Sequence, residues 1–132
     1  MPESEIQAVR RIYEALSQWN VDELAKNVTH DFELILPGTV PWGGTRHGQD
    51  GVEAFATIFR DYVEGQWADP DEFIDGGDLI VVMGRLRGRG RATGKEFEEH
   101  FAHVWTVTEG MPSRCRSYFD TAPILVALGS SS

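Results

Sequence analysis

The apolar residues of this 132-residue chain change their spacing once, close to Gly65. Before that point they recur three and four apart, as in Ile6, Val9, Ile12, Tyr13 and Leu16, and again in Val52, Phe55, Ala56, Phe59, Tyr62 and Val63. After it they alternate or run in short blocks bounded by Gly76-Gly77, Thr93-Gly94 and Glu109-Gly110. A helix buries a stripe with a period near 3.6 and a strand buries a face with a period of two, so the switch separates helices from strands. Helices first and a meander of strands afterwards point to an α+β domain, its helices packed on one face of an antiparallel sheet.

Ser4 and Gln7 have the spacing of a capping box at the start of the first helix, and Asn20 is expected to break it. Val21 to Val28 reads as a short second helix capped near Asp22, and Phe32 to Leu36 as a strand stopped by Pro37-Gly38. Pro37 to Gly48 reads as a loop carrying Trp42 and His47. Asp50 with Glu53 forms a second box, opening a helix for which Gly65 is a fitting C-cap. Trp67 to Asp75 makes a strand only in part, since Pro70 cannot donate to a ladder. Strands follow over Leu79 to Arg91, Phe97 to Val107 and Arg114 to Asp120, and Pro123 to Leu128 is one helical turn or a last strand. The length suits a single domain over residues 1–128, with 129–132 a fraying tail.

Composition narrows the partners. A formal net charge of −9 repels phosphate backbones, so nucleic acid is not an expected partner. No apolar run approaches the roughly 20 residues that span a bilayer, and Met1 to Glu5 lacks a signal-peptide core. A lone Cys115 cannot form an internal disulfide, which suits a cytoplasmic setting. The four histidines show no metal-ligand spacing with cysteine or carboxylates, so no metal is expected.

If Thr93-Gly94 and Glu109-Gly110 are two-residue turns, Gly84 opposes His103, His103 opposes Arg116, Phe101 opposes Tyr118 and Glu99 opposes Asp120. One face then gathers Val82, Leu86, Phe101, His103, Trp105, Arg116, Tyr118 and Asp120. The other gathers the alternating Arg85, Arg87, Arg89 and Arg91 with Glu98, His100, Cys115 and Phe119. Rings mixed with titratable groups are what a small-molecule pocket requires. A one-residue bulge would send every later side chain to the opposite face.

The order of Tyr13, Thr29-His30-Asp31-Phe32, Leu36-Pro37-Gly38, Gly43 to Asp50, Phe101 to Val107 and Tyr118 to Ala122 resembles the SnoaL-like branch of the nuclear transport factor 2-like superfamily. The resemblance covers nearly the whole chain. It implies a curved antiparallel sheet wrapped around helices into a cone, a hydrophobic cavity at one end, and homodimers. It also implies cofactor-independent general acid/base chemistry of the cyclase or isomerase type on a hydrophobic, oxygenated small molecule. In SnoaL-like cyclases an aspartate ten residues after the glycine of the last hairpin moves the proton, and Asp120 stands there after Gly110. Ketosteroid isomerases carry acids where this chain has Leu36 and Ala102, while their helix tyrosine is retained as Tyr13. Epoxide hydrolysis would need Asp120 and Arg116 joined by a third group such as Glu99.

The candidate catalytic residues are therefore Asp120, His103 and Tyr13, and the candidate substrate-binding residues Trp42, His47, Phe55, Phe59, Trp67, Phe101, Trp105, Arg116 and Tyr118. Each has a plainer reading. Asp120 precedes Thr121-Ala122-Pro123 as a helix cap or a turn residue would, Tyr13 belongs to a helix stripe, and Trp42 can close the cone's end. The four arginines read as an exposed or dimer-facing ladder. A non-catalytic binding module using the same cavity is the rival to an enzyme.

Overall fold

A computed structural model of the chain describes residues 4–65 and 67–129. Helices α1 (Glu5–Ser17) and α2 (Val21–Lys26) lead into strands β1 (Glu33–Leu36) and β2 (Gly44–His47), and helix α3 (Gly48–Tyr62) follows. The short β3 (Val63–Glu64) and β4 (Ala68–Asp75) precede the long strands β5 (Leu79–Gly90), β6 (Glu96–Thr108) and β7 (Met111–Phe119), and helix α4 (Ala122–Leu128) closes the chain. Residues 130–132 of the expected tail lie outside the described residues, while Gly129 is the left-handed cap of α4 at φ 102°.

Local chemistry explains most boundaries. The Ser4 hydroxyl accepts the Gln7 N–H at 3.2 Å, as the box spacing predicts. Asn20 caps α2 by accepting the Glu23 N–H, and that helix stops at Lys26. The second box does not form, because α3 starts earlier than expected, at Gly48. The Gly48 N–H donates to Phe32 O, tying the helix start to the end of the β1–β2 hairpin. That hairpin uses residues 44–47 of the segment expected to be loop. Helix α3 ends at Tyr62 rather than running to Gly65, because Val63 and Glu64 pair with Gly90 and Arg89 of β5.

The sheet runs β2-β1-β7-β6-β5-β3, with β4 paired to β5 beside β3. Its pairings are antiparallel apart from β1 against β7. Strand β4 reaches β5 across a bulge between Pro70 and Glu72, where Asp69 O comes so close that a Cβ on Gly84 would lie 2.2 Å from it. The apolar stripes of α1, α2 and α3 pack on the inner face around Val9, Ile12, Leu16, Phe55 and Phe59.

Register decides which side chains meet the helices. Residues 91–95 form a longer loop than a two-residue turn, so Gly84 lies opposite Phe101 rather than His103. That slip is even, and every side chain of β6 keeps its expected face. At the last hairpin Glu109 and Gly110 have φ of 51° and 82°, and Thr108 pairs with Met111 as a two-residue turn requires. The register then shifts: Val107 pairs with Pro112, but Thr106 pairs with Arg114. Pro112 has no N–H for the ladder, and Ser113 is squeezed out as a bulge whose Oγ donates to Thr106 O at 3.2 Å. This odd slip inverts β7 relative to the expected pairing. Cys115, Ser117 and Phe119 face inward, while Arg116 and Tyr118 face out.

Candidate functional site

Part of the cone is filled by rings. Trp67 lies 4.8 Å from Phe59, 5.6 Å from Trp42, 6.1 Å from Phe97 and 5.5 Å from Phe119, centroid to centroid. These tilted and edge-on pairs add to the burial energy of each ring. Trp42 and Phe59 are fully buried in this plug. They are core, as the plainer reading of Trp42 has it, and neither lines the hollow.

Beside the plug lies a cavity of about 60 Å³. Its apolar walls include Ile12 and Leu16 of α1, Leu24 of α2, Leu34 and Leu36 of β1, and Val52 and Phe55 of α3, with Trp67 at the boundary. Its polar groups come from Tyr13, His103, Trp105, Cys115 and Ser117. The volume holds about two waters at their liquid volume, or a fragment of comparable size.

The polar groups are ordered by β-sheet pairing. Ser117 stands opposite His103, and Cys115 opposite Trp105, all on the inner face. Tyr13 reaches them from α1, its hydroxyl 2.5 Å from His103 Nδ1. Trp105 Nε1 donates to the same hydroxyl oxygen at 2.9 Å. The planes of the Tyr13 and His103 rings lie 13° apart, and Phe101 lies 4.1 Å from His103 and 6.4 Å from Tyr13. Burial pushes the His103 pKa down to about 3, so the imidazole is neutral, and it pushes the Tyr13 hydroxyl and Cys115 thiol well up, so neither ionises. The Ser117 Oγ is buried without a hydrogen-bond partner. Tyr13 also borders a surface groove between α1 and β4, where the Arg10 guanidinium sits 4.1 Å above the Phe73 ring.

Of the expected site residues, the structure brings Tyr13, His103, Phe55, Trp67 and Trp105 to the cavity, with Phe101 packed behind. His47 is exposed at the start of α3, away from it. Arg116 and Tyr118 face outward because of the Ser113 bulge, and the guanidinium donates to the Tyr118 hydroxyl at 3.4 Å. Asp120 is exposed just past the end of β7, where its carboxylate accepts the Ala122 N–H at 3.0 Å and steadies the first turn of α4. That is its turn reading, one residue ahead of the N-cap Thr121, rather than its cavity reading. Cys115 and Ser117 were expected on other faces or not singled out, and the signal that could have found them is Pro112, which cannot sit in a regular ladder.

Glu99 does sit near Asp120. It is on the inner face, with one carboxylate oxygen buried and unpartnered. Burial first, and the Asp120 charge second, raise its pKa to about 7, against a bond from the Asp120 main chain. Neither acid lines the cavity. The arginine ladder lies on the outer face, exposed and ion-paired: Arg85 and Arg87 with Glu98, Arg87 with Asp69, Arg89 with Glu96 and Arg91 with Glu64. Among the described residues no helix is long and apolar enough to cross a membrane, and no group of three acidic, histidine or cysteine side chains is placed to hold a metal ion.

A sequence model of the SnoaL-like domain matches residues 9–114. Comparison with curated proteins found no match. Among solved structures, a nuclear transport factor 2-like protein of unknown function from Burkholderia pseudomallei is 30% identical, with a TM-score of 0.87 over 96% of this chain and 98% of the other. TerC, crystallised with polyporic acid, is 26% identical with a TM-score of 0.87 over 96% and 98%. A candidate SnoaL-like polyketide cyclase from Jannaschia sp. CCS1 shares the fold at 18% identity, with a TM-score of 0.76 over 97% and 93%.

Proposed function

The chain belongs to the SnoaL-like domain family, and from that premise we propose that it performs cofactor-independent acid/base chemistry of the cyclase or isomerase type on a hydrophobic, oxygenated small molecule held in the cavity. The observation that carries this is the buried Tyr13–His103–Trp105 cluster set into apolar walls. A neutral imidazole held by a hydrogen bond can polarise a carbonyl and steady the enolate that forms when the α-proton passes to water in the cavity, since no carboxylate lines it to take that proton. His103 takes that role here and Tyr13 positions it. The ligand of TerC, at 26% identity, supports an oxygenated compound. A cavity of about 60 Å³ admits a fragment, whereas drug-sized ligands occupy roughly 300 Å³ or more. A polyketide-sized ring system therefore enters only if the walls from α1, α2 or α3 move apart.

The test is a panel of cyclic ketones and epoxides with the native protein and with His103→Asn. Enolisation or ring closure of a ketone that drops at least about 100-fold in the variant supports the reading. Equal turnover by both would overturn it. A non-catalytic binding module is the second reading, favoured by the lack of any carboxylate among the cavity-lining residues. Saturable binding of a ketone with no product would favour that reading. Epoxide hydrolysis draws less support, since Arg116 faces away from Glu99 across the sheet.

We also propose a homodimer joined through the outer sheet face. Met83, Ala102 and Tyr118 form one row across β5, β6 and β7, and Met83 and Tyr118 are 36% and 50% exposed. The neighbouring Arg85–Glu98 pair offers both signs of charge to a second copy. Light scattering should give twice the monomer mass, and the monomer mass for Tyr118→Glu. A monomeric native chain would reject it.

A further inference from the structure

The cavity's donors specify a ligand class, granted the reading that the ligand sits there. Tyr13 is 4% exposed and has a single proton to give. Trp105 Nε1 can only donate, and it occupies one side of the Tyr13 oxygen. If His103 Nδ1 donated to that oxygen too, the phenolic proton would be buried with no acceptor among the described residues. Buried donors are almost always satisfied. The arrangement that satisfies all three groups has the Tyr13 O–H donating to Nδ1, which leaves the one proton of the neutral ring on Nε2.

Nε2–H then has no partner among the described residues, and neither has the hydroxyl of Ser117, the residue directly opposite on β7. Residues so paired hold their Cβ atoms about 4.5–5.5 Å apart, close enough for two donors to meet one oxygen. His103 and Ser117 are each 5% exposed, and the Ser117 Oγ is buried. The cavity lining contains no Lys, Arg, Asp or Glu.

We propose that His103 Nε2–H and Ser117 Oγ–H form an uncharged pair of donors that selects a ketone or other neutral acyl oxygen and rejects a carboxylate. A neutral oxygen accepts both bonds at little cost in lost hydration. A carboxylate would leave water for a place without a cation, and two neutral donors do not replace its hydration.

Three probes of equal heavy-atom count separate the cases: butanone, propionamide and propionate. They would be titrated into the native protein at pH 7.5, following the indole N–H of Trp105 by NMR, with nitrogen-15 shifts of His103 recorded before any addition. The expected result is a His103 proton on Nε2, and butanone and propionamide bound at least about 10-fold more tightly than propionate. Ser117→Ala should weaken butanone about 2- to 10-fold. Tyr13→Phe, which removes the positioning hydroxyl, should shift the His103 nitrogen signals toward a mixture of tautomers. A proton on Nδ1, or propionate bound as tightly as butanone, overturns the donor pair and leaves the cavity as a binding site. Lack of binding by all three probes overturns both this inference and the cavity reading.

Discussion

Replacing Tyr13 by Phe keeps the ring beside His103 and removes only the oxygen shared by Nδ1 and the Trp105 indole. Two buried groups lose their partner, so the variant should fold with a stability loss of about 2 kcal/mol, read from urea unfolding. A loss below about 0.5 kcal/mol would mean that the hydroxyl is not the hub of the cluster. Asp120 gives the contrasting case. Asp120→Asn keeps an oxygen for the Ala122 N–H and lies outside the cavity lining, so ligand affinity should stay within about twofold. A larger loss would return Asp120 to the site. Tyr13 and His103 were legible in the sequence because a helix stripe and an alternating strand each fix a direction with no help from distant residues. Asp120 was not, since its direction depends on every residue between it and the last hairpin.

Among the elements, β7 shows how little separates a right from a wrong reading. The turn at Glu109-Gly110 and the strand after it are both present, yet the extra residue Ser113 turns Arg116 outward and Ser117 inward. The two-residue slip at residues 91–95 was harmless, because strand side chains alternate and an even shift preserves the face. Deleting Ser113 takes out the unpaired residue and leaves Arg114 opposite Thr106, so the ladder should close and Arg116 should stay outward. The expected cost stays below about 2 kcal/mol, and the cooperative thermal transition followed by circular dichroism survives. One glycine inserted between Ala92 and Thr93 should cost less than about 1 kcal/mol, since that loop is exposed and slightly longer loops are cheap to close. Loss of that transition on deleting Ser113 would show that the bulge itself, and not the pairing beyond it, holds the inner face. The helices were more legible than the sheet, because their burial stripe is written within a single turn of chain while register is a relation between segments.

Over the whole molecule, two partly or fully buried groups with opposite shifts shape stability against pH. His103 is held neutral, its pKa lowered from 6.5 to about 3, so its contribution is complete above pH 6.5 and is lost as pH falls toward 3. Glu99 is shifted the other way, from 4.5 to about 7. Its contribution is complete below pH 4.5 and is lost as pH rises through about 7. Between pH 4.5 and 6.5 the two slopes oppose, so these groups together give a plateau that falls on the acid side and dips slightly near neutrality. The outer ion pairs are roughly half exposed and individually weak, so they tilt this profile little. Glu99→Gln removes one of the opposing slopes. Melting temperature in the variant should keep climbing from pH 4.5 to 6.5, and its advantage over the native chain should grow by about 3–6 °C between pH 5 and pH 8, a figure reduced because Glu99 is only partly buried. Parallel curves for the two proteins would mean that Glu99 titrates in the folded chain much as it does unfolded. The Asp120 carboxylate and the buried, unpartnered oxygen would then exert no force on it.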